Sequence, residues 1–250
     1  MKRPRTLSII IPCFNERTLL PRCLKKVERA PSLGLRKEII LVDDRSTDGT
    51  REWLRALARR GKHKVYFHPK NRGKGAAVKT GFARATGDIL LIQDADLEYE
   101  PRDYPALLKP FFSGAKVVYG SRQLGPNRHT HSSFTFWLSG IVVTLTTSIL
   151  FWQWITDEPT CYKVFSRDVI GSMHIDGERF EWEPEVTAKV LRRGIRIREV
   201  PIHYYPRSVA QGKKIGWKDG IQALWTLVKY RFVSVAPPHA ARHAPRGARR

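Results

Sequence analysis

The chain has 250 residues, enough for one large α/β domain with its own core. Its 45 lysines and arginines against 23 acids leave a net charge of +22, and such a surface attracts polyanions: nucleic acid, anionic lipid or phosphorylated substrates. Three cysteines, Cys13, Cys23 and Cys161, show no metal spacing and no even count, and so fit a reducing cytoplasm, with Cys13 in a packing role.

The first strand signal is residues 7–11. Lys2, Arg3 and Arg5 precede it, but the run is too short for a signal-peptide core and meets Pro12. A helical stretch follows over about 16–29, then a strand over 38–42 closed by Asp43-Asp44. Asp48-Gly49 opens a helix through residue 60, with Trp53, Leu54, Leu57 and Ala58 on one face. Residues 65–67 read as a short strand, 75–85 as a helix, 89–93 as a buried strand and 117–120 as another. This order predicts a doubly wound, mostly parallel sheet flanked by helices. Ligands of such sheets bind at the carboxyl ends of the strands, so the loops 12–17, 43–50 and 93–101 converge on one edge.

Residues 132–156 contain no formally charged side chain and are long enough to span a bilayer. They also hold ten hydroxyl or amide side chains, among them Ser132, Thr144, Thr147 and Gln153, and their aromatics gather at the two ends. A helix or helix pair lying in the membrane interface fits better than a span, with a buried core helix as the alternative. Residues 161–165 then read as a strand, 184–193 as a helix and 195–200 as an edge strand. Residues 215–232 form an amphipathic helix with Trp217, Ile221, Leu224, Trp225 and Val228. The domain therefore covers 1–235, and 236–250 is a disordered basic tail rich in Pro, Ala, Arg and His.

The segment Asp94-Ala95-Asp96-Leu97-Glu98 carries the most chemistry. Two carboxylates two residues apart at a strand end point the same way, a hard-oxygen site for Mg²⁺ or Mn²⁺ that shares its shell with phosphates. The plainer alternative is an acidic pair opening a solvated loop. After the first strand, Asn15 and Glu16 suit a ribose or base, unless Asn15 merely caps the next helix. Asp44 is a similar acceptor after the second strand, with Ser46 or Asp48 as cap. In Asn71-Arg72-Gly73-Lys74-Gly75 the backbone amides and Lys74 suit phosphate, although this is not a Walker loop.

Taken together, Ser8 to Glu16, Val42 to Thr50, Asn71 to Gly75 and Asp94 to Glu98 resemble the family 2 glycosyltransferases of GT-A fold, closest to the dolichol- and polyprenyl-phosphate sugar synthases. The resemblance runs over about residues 6–232 and takes in Gly120-Ser121-Arg122, Cys161 to Phe165 and Phe180 to Glu185. It implies that Pro12, Asn15, Glu16, Asp44, Lys74 and Ala95 lie around the nucleotide, and that Asp94 and Asp96 bind the metal with Glu98 as third ligand. It further implies that Arg207 and Lys213 reach the donor diphosphate and that Arg122 faces the acceptor phosphate, with Arg128, His129 and His131 nearby. Two departures stand out. Many members carry C-terminal transmembrane helices, and no such run is present here. Many also carry Ser-Gly-Phe-Arg where this chain has Thr160-Cys161-Tyr162-Lys163.

The reaction this resemblance implies is metal-dependent, inverting transfer of a sugar, mannose first, from a GDP- or UDP-linked donor to a polyprenyl or dolichyl monophosphate. A metal would neutralise the diphosphate leaving group. The lipid phosphate is already a nucleophile near neutral pH, so no strong base is required. For a hydroxyl acceptor, Asp157 and Glu181 are the candidate bases. The basic surface suits peripheral docking on an anionic membrane at its cytoplasmic face, with or without a membrane-protein partner. Competing readings are a family member acting on a sugar or peptide hydroxyl, a sugar-1-phosphate nucleotidyltransferase and a nucleic-acid binder. The second lacks its Gly-rich loop after the first strand, and no helix-turn-helix, zinc or RRM pattern supports the third.

Overall fold

The computed structural model describes residues 3–128, 133–207 and 217–233. Seven strands form a single sheet: β1 (Thr6–Cys13), β2 (Arg36–Asp43), β3 (Lys64–Phe67), β4 (Ile89–Ile92), β5 (Val117–Ser121), β6 (Lys163–Ser166) and β7 (Ile197–Pro201). Their spatial order is β3-β2-β1-β4-β6-β5-β7. All pairings are parallel except those of β6, which runs antiparallel between β4 and β5. The expectation of a mostly parallel α/β sheet therefore holds, and β7 lies at the edge as expected.

Among the described residues eight α-helices flank the sheet: α1 (Leu20–Arg29), α2 (Thr50–Arg59), α3 (Lys74–Arg84), α4 (Tyr104–Leu108), α5 (Phe134–Phe151), α6 (Arg167–Gly171), α7 (Trp182–Arg192) and α8 (Trp217–Phe232). Strand alternation feeds two apolar layers. Leu7, Ile9 and Ile11 of β1 pack with Leu20, Cys23, Leu24 and Val27 of α1 and Leu54 of α2. Ile10 points the other way, toward Ala77 and Val78 of α3 and Trp182 and Val186 of α7. Each such fully buried aliphatic side chain contributes about 1.5–3 kcal/mol.

Helix α1 begins at Leu20, later than the 16–29 stretch suggests, because the N–H groups of residues 15–17 are committed to Ser46, Thr50 and Asp48. Asn15 has φ 53 and does not cap it. Its N–H donates to Ser46 Oγ at 3.0 Å and its Oδ1 accepts from Thr47 N–H at 2.8 Å, which ties the β1 loop to the β2 loop.

Helix α5 is capped by Ser133, whose hydroxyl accepts the Phe136 N–H, and ends at Trp152, φ 57. It pairs with α8 and α7 around Val143, Ala188, Leu227 and Tyr230. Its outer side stays open: Ile149, Trp152 and Trp154 are 71%, 89% and 73% exposed. In α8 the apolar residues Ile221, Trp225 and Val228 face outward, while Leu227 and Tyr230 are buried. No helix among the described residues is long and apolar enough to cross a membrane. The basic tail 236–250 lies outside the described residues.

Candidate active site

The acid segment does not continue β4, which ends at Ile92. Residues 94–98 form a turn with Leu97 at φ 64, so the carboxylates converge through the turn and not through strand alternation. Buried Gln93 anchors the turn. Its Oε1 accepts the hydroxyls of Tyr104 and Tyr162, both at 2.8 Å, and its Nε2 donates to the Asp94 carbonyl.

Two cations meet the acids. Lys74 Nζ lies 2.9 Å from Asp94, 3.0 Å from Glu183 and 3.1 Å from Cys161 Sγ. Arg207 Nη2 lies 2.8 Å from Asp96, and Nη1 lies 3.4 Å from Glu16. The Arg207 N–H donates to Glu98 Oε1 at 2.8 Å, and the Tyr204 hydroxyl donates to Glu98 Oε2 at 3.0 Å. Burial, reinforced by the charges of Asp94 and Glu98 and opposed by Arg207, pushes the Asp96 carboxyl up to about 7. Burial also raises the Cys161 thiol well above its ordinary value, so it is a packed neighbour of Lys74 rather than a ready nucleophile.

Among the described residues no three His, Cys, Asp or Glu side chains form a ready-made metal cage. The donor set nonetheless fits a hard divalent ion. Asp94, Asp96 and Glu98 gather like charge in a half-buried turn, and a cation would offset both the burial and the neighbouring charges that raise Asp96.

The Asn71 to Gly75 loop is built differently from the phosphate cradle expected of it. The N–H groups of Gly75 and Ala76 donate to the carbonyls of Arg179 and Glu178 at 3.2 and 2.8 Å. These amides are therefore spent within the protein. The two glycines are required by contact: a Cβ on Gly73 would lie 2.5 Å from Glu178 O, and one on Gly75 2.8 Å from Arg179 O. Asp44 is likewise committed, accepting from the N–H groups of Arg72 and Gly73 at 2.9 and 2.7 Å and bonding His68 Nδ1 at 2.7 Å. It shapes the loop behind the donor edge. Pro12 and Ala95 stay at that edge, at the end of β1 and within the acid turn.

On the other side of Tyr204, Arg122 forms a buried fork with Asp157. Its Nε and Nη2 lie 2.8 and 2.6 Å from the two carboxylate oxygens, its N–H donates to Asp157 as well, and its guanidinium sits 5.1 Å from the centre of the Tyr204 ring. With its oxygens so occupied, Asp157 is not poised as a base. Glu181 is held by one oxygen, which accepts the N–H groups of Glu178 and Arg179, while its Oε2 is buried with no hydrogen-bond partner among the described residues. Arg122, Asn127, Arg128 and Tyr204 line part of an open groove of about 200 Å³. Phe136, Trp137, Ile141 and Leu145 of α5, with Trp154, supply its apolar walls. Lys213, His129 and His131 lie outside the described residues.

Glu183, Tyr204 and Gln93 complete the site and were not singled out from the sequence. For Glu183 the signal was present in Phe180-Glu181-Trp182-Glu183. Helix α7 starts at Trp182 rather than at 184, and this register turns Glu183 toward Lys74.

The model of the family described as "Glycosyl transferase family 2" matches residues 8–172, which takes in the acid turn, the Lys74 loop, Arg122 and Asp157. The chain belongs to glycosyl transferase family 2. Its fold is the GT-A fold. Over 116 residues it is 37% identical to a dolichol-phosphate mannosyltransferase of Pyrococcus furiosus, covering 46% of this chain and 33% of that protein. Over 212 residues it is 27% identical to an undecaprenyl-phosphate 4-deoxy-4-formamido-L-arabinose transferase of Klebsiella pneumoniae, covering 84% and 62%. The chain thus spans between a third and under two thirds of the length of these curated relatives. In fold it is similar to glucosyl-3-phosphoglycerate synthase of Mycobacterium tuberculosis, solved with Mn²⁺, uridine diphosphate and phosphoglyceric acid, with a TM-score of 0.70 at 20% identity over 92% of this chain and 80% of that one.

Proposed function

We propose that this glycosyltransferase moves a sugar, mannose in the first instance, from a GDP- or UDP-linked donor to a polyprenyl or dolichyl monophosphate at the cytoplasmic face of a membrane. The observation that carries this reading is the wall shared by two sites. Tyr204 donates to Glu98 in the acid cluster, while its ring stacks under Arg122 at the polar end of an apolar groove. A charged head at Arg122 with a hydrocarbon chain along α5 matches a lipid phosphate better than a free sugar. The names of the Pyrococcus and Klebsiella relatives support the same acceptor class.

Asp94 and Asp96, with Glu98 behind them, would hold Mg²⁺ or Mn²⁺. When bound, the ion supplies Lewis-acid neutralisation of the diphosphate leaving group. Arg207 already sits between Asp96 and Glu16 and adds positive charge where the leaving group gains negative charge. Lys74 neutralises Asp94 and Glu183 beside the donor. Since Asp157 is committed to Arg122, a nucleophile that needs no base is favoured, and a phosphate monoester with a second pKa of about 6 is one. The exposed apolar faces of α5 and α8, on a chain of net charge +22, would seat the enzyme on anionic lipid.

Filling the groove tests the acceptor. Gly140→Leu should raise the KM for polyprenyl phosphate roughly tenfold while leaving slow donor hydrolysis unchanged. An unchanged acceptor KM would remove the groove from the acceptor path and favour a hydroxyl acceptor.

A further inference from the structure

The loop 174–181 bridges the acid cluster and the inner face of α8. At one end the carbonyls of Arg179 and Glu178 receive the Gly75 and Ala76 N–H groups, directly after Lys74. At the other end the loop is held by a polar node. Asp176 Oδ2 accepts the Tyr230 hydroxyl at 2.7 Å and Lys189 Nζ at 3.1 Å. Lys189 also pairs with Glu185, donates to the His174 carbonyl at 2.8 Å, and sits 4.3 Å from the centre of the Tyr230 ring. Glu185 accepts the N–H groups of Asp176 and Gly177 at 2.7 and 2.6 Å. Lys79 of α3 donates to the Asp176 carbonyl at 2.8 Å.

Tyr230 is 6% exposed, on the opposite side of α8 from Trp225 and Phe232, which are 67% and 76% exposed. A buried hydroxyl aimed at a carboxylate must keep that partner or bear the cost of desolvation without return. Its partner therefore fixes where residues 174–181 can sit. The Gly75 and Ala76 hydrogen bonds to the Arg179 and Glu178 carbonyls, made where the backbones pass too closely for a Cβ on Gly75, carry that constraint to Lys74 at the start of α3.

We propose that Tyr230 is a positioning residue for the donor site: through Asp176 it holds the loop 174–181 against the start of α3 and so holds Lys74 in the acid cluster. The proposal rests on the reading that this cluster receives the donor. Its test is Tyr230→Phe in the full chain, which removes the hydroxyl and keeps the ring under Lys189. Three quantities are read: amide hydrogen exchange by NMR, calorimetric affinity for GDP and UDP with Mn²⁺, and the KM for polyprenyl phosphate in the transfer assay. Exchange at Gly75 and Ala76 should quicken roughly tenfold while Ile9 and Ile10 of β1 stay protected, and nucleotide affinity should fall roughly three- to tenfold with the acceptor KM unchanged. Should this variant not fold, Asp176→Asn, which weakens the same node, is judged by the same criteria. Unchanged exchange at Gly75 and Ala76 overturns the proposal. So does quickened exchange with undiminished affinity, or an equal loss for donor and acceptor. Quickened exchange in a protein whose wild type binds neither nucleotide upholds the coupling and instead refutes the donor reading of the cluster.

Discussion

Replacing Asp157 by asparagine separates a structural role from a catalytic one. Asp157 is 2% exposed and takes three donors from Arg122: Nε, Nη2 and the backbone N–H, at 2.8, 2.6 and 2.8 Å. Asparagine keeps the shape but removes the charge and turns one acceptor into a donor facing the guanidinium. Removing one partner of a buried pair costs about 3–5 kcal/mol, because the other charge is left buried and uncompensated. For a domain of this size each kcal/mol lowers the midpoint by about 2–4 °C, so Asp157→Asn should melt roughly 10 °C lower in calorimetry. Adding Arg122→Met, which removes the stranded charge, should recover about half of that loss. Transfer to lipid should fall in both variants, because Arg122 no longer stands at the head of the groove. A midpoint within about 1 °C of wild type, together with a loss of transfer of about a hundredfold or more, would refute this reasoning and restore Asp157 as a general base.

Two further results are expected. Glu38 accepts from Ser8, from both the N–H and the hydroxyl of Thr86, and from Lys64. Burial alone would raise its pKa, but these donors overturn that and hold the carboxyl at about 2. Its stabilisation is therefore complete above the unfolded value near 4.5 and is lost as pH falls toward 2; urea titrations should show Glu38→Gln flattening that acid limb by about 1 kcal/mol. Trp225→Ser on α8 should leave the melting midpoint unchanged, since the ring is 67% exposed, yet weaken cosedimentation with anionic vesicles about tenfold. Equal binding by mutant and wild type would remove α8 from the membrane contact.

The parallel sheet and its binding edge were legible because strands buried on both faces read as unbroken apolar runs: residues 7–11 and 89–92 are examples. The antiparallel insertion of β6 was not, because Lys163 to Ser166 carries no signal of direction. The acids of 94–98 were found for a partly mistaken reason. Their spacing suggested a strand face, whereas a left-handed residue at Leu97 and the Gln93 anchor bring them together. Commitments made by side chains far away in sequence were invisible: Asp44 to the backbone at 72 and 73, Asp157 to Arg122, and the Gly75 and Ala76 amides to 178 and 179. On α8 the amphipathic pattern was legible, but what covers its apolar side was not. A stripe at 221, 225 and 228 shows only that one side is apolar, and not whether protein or lipid covers it.

The most direct test follows radiolabelled sugar from GDP- and UDP-linked donors to polyprenyl phosphate in detergent, with Mg²⁺ or Mn²⁺ and with chelator, for wild type and Asp96→Ala. One donor should give a labelled lipid that disappears with chelator and falls by about a thousandfold or more in the variant, whose metal site has lost a carboxylate that Arg207 also holds. Donor hydrolysis without labelled lipid, or lipid product at wild-type rate from Asp96→Ala, would contradict the account.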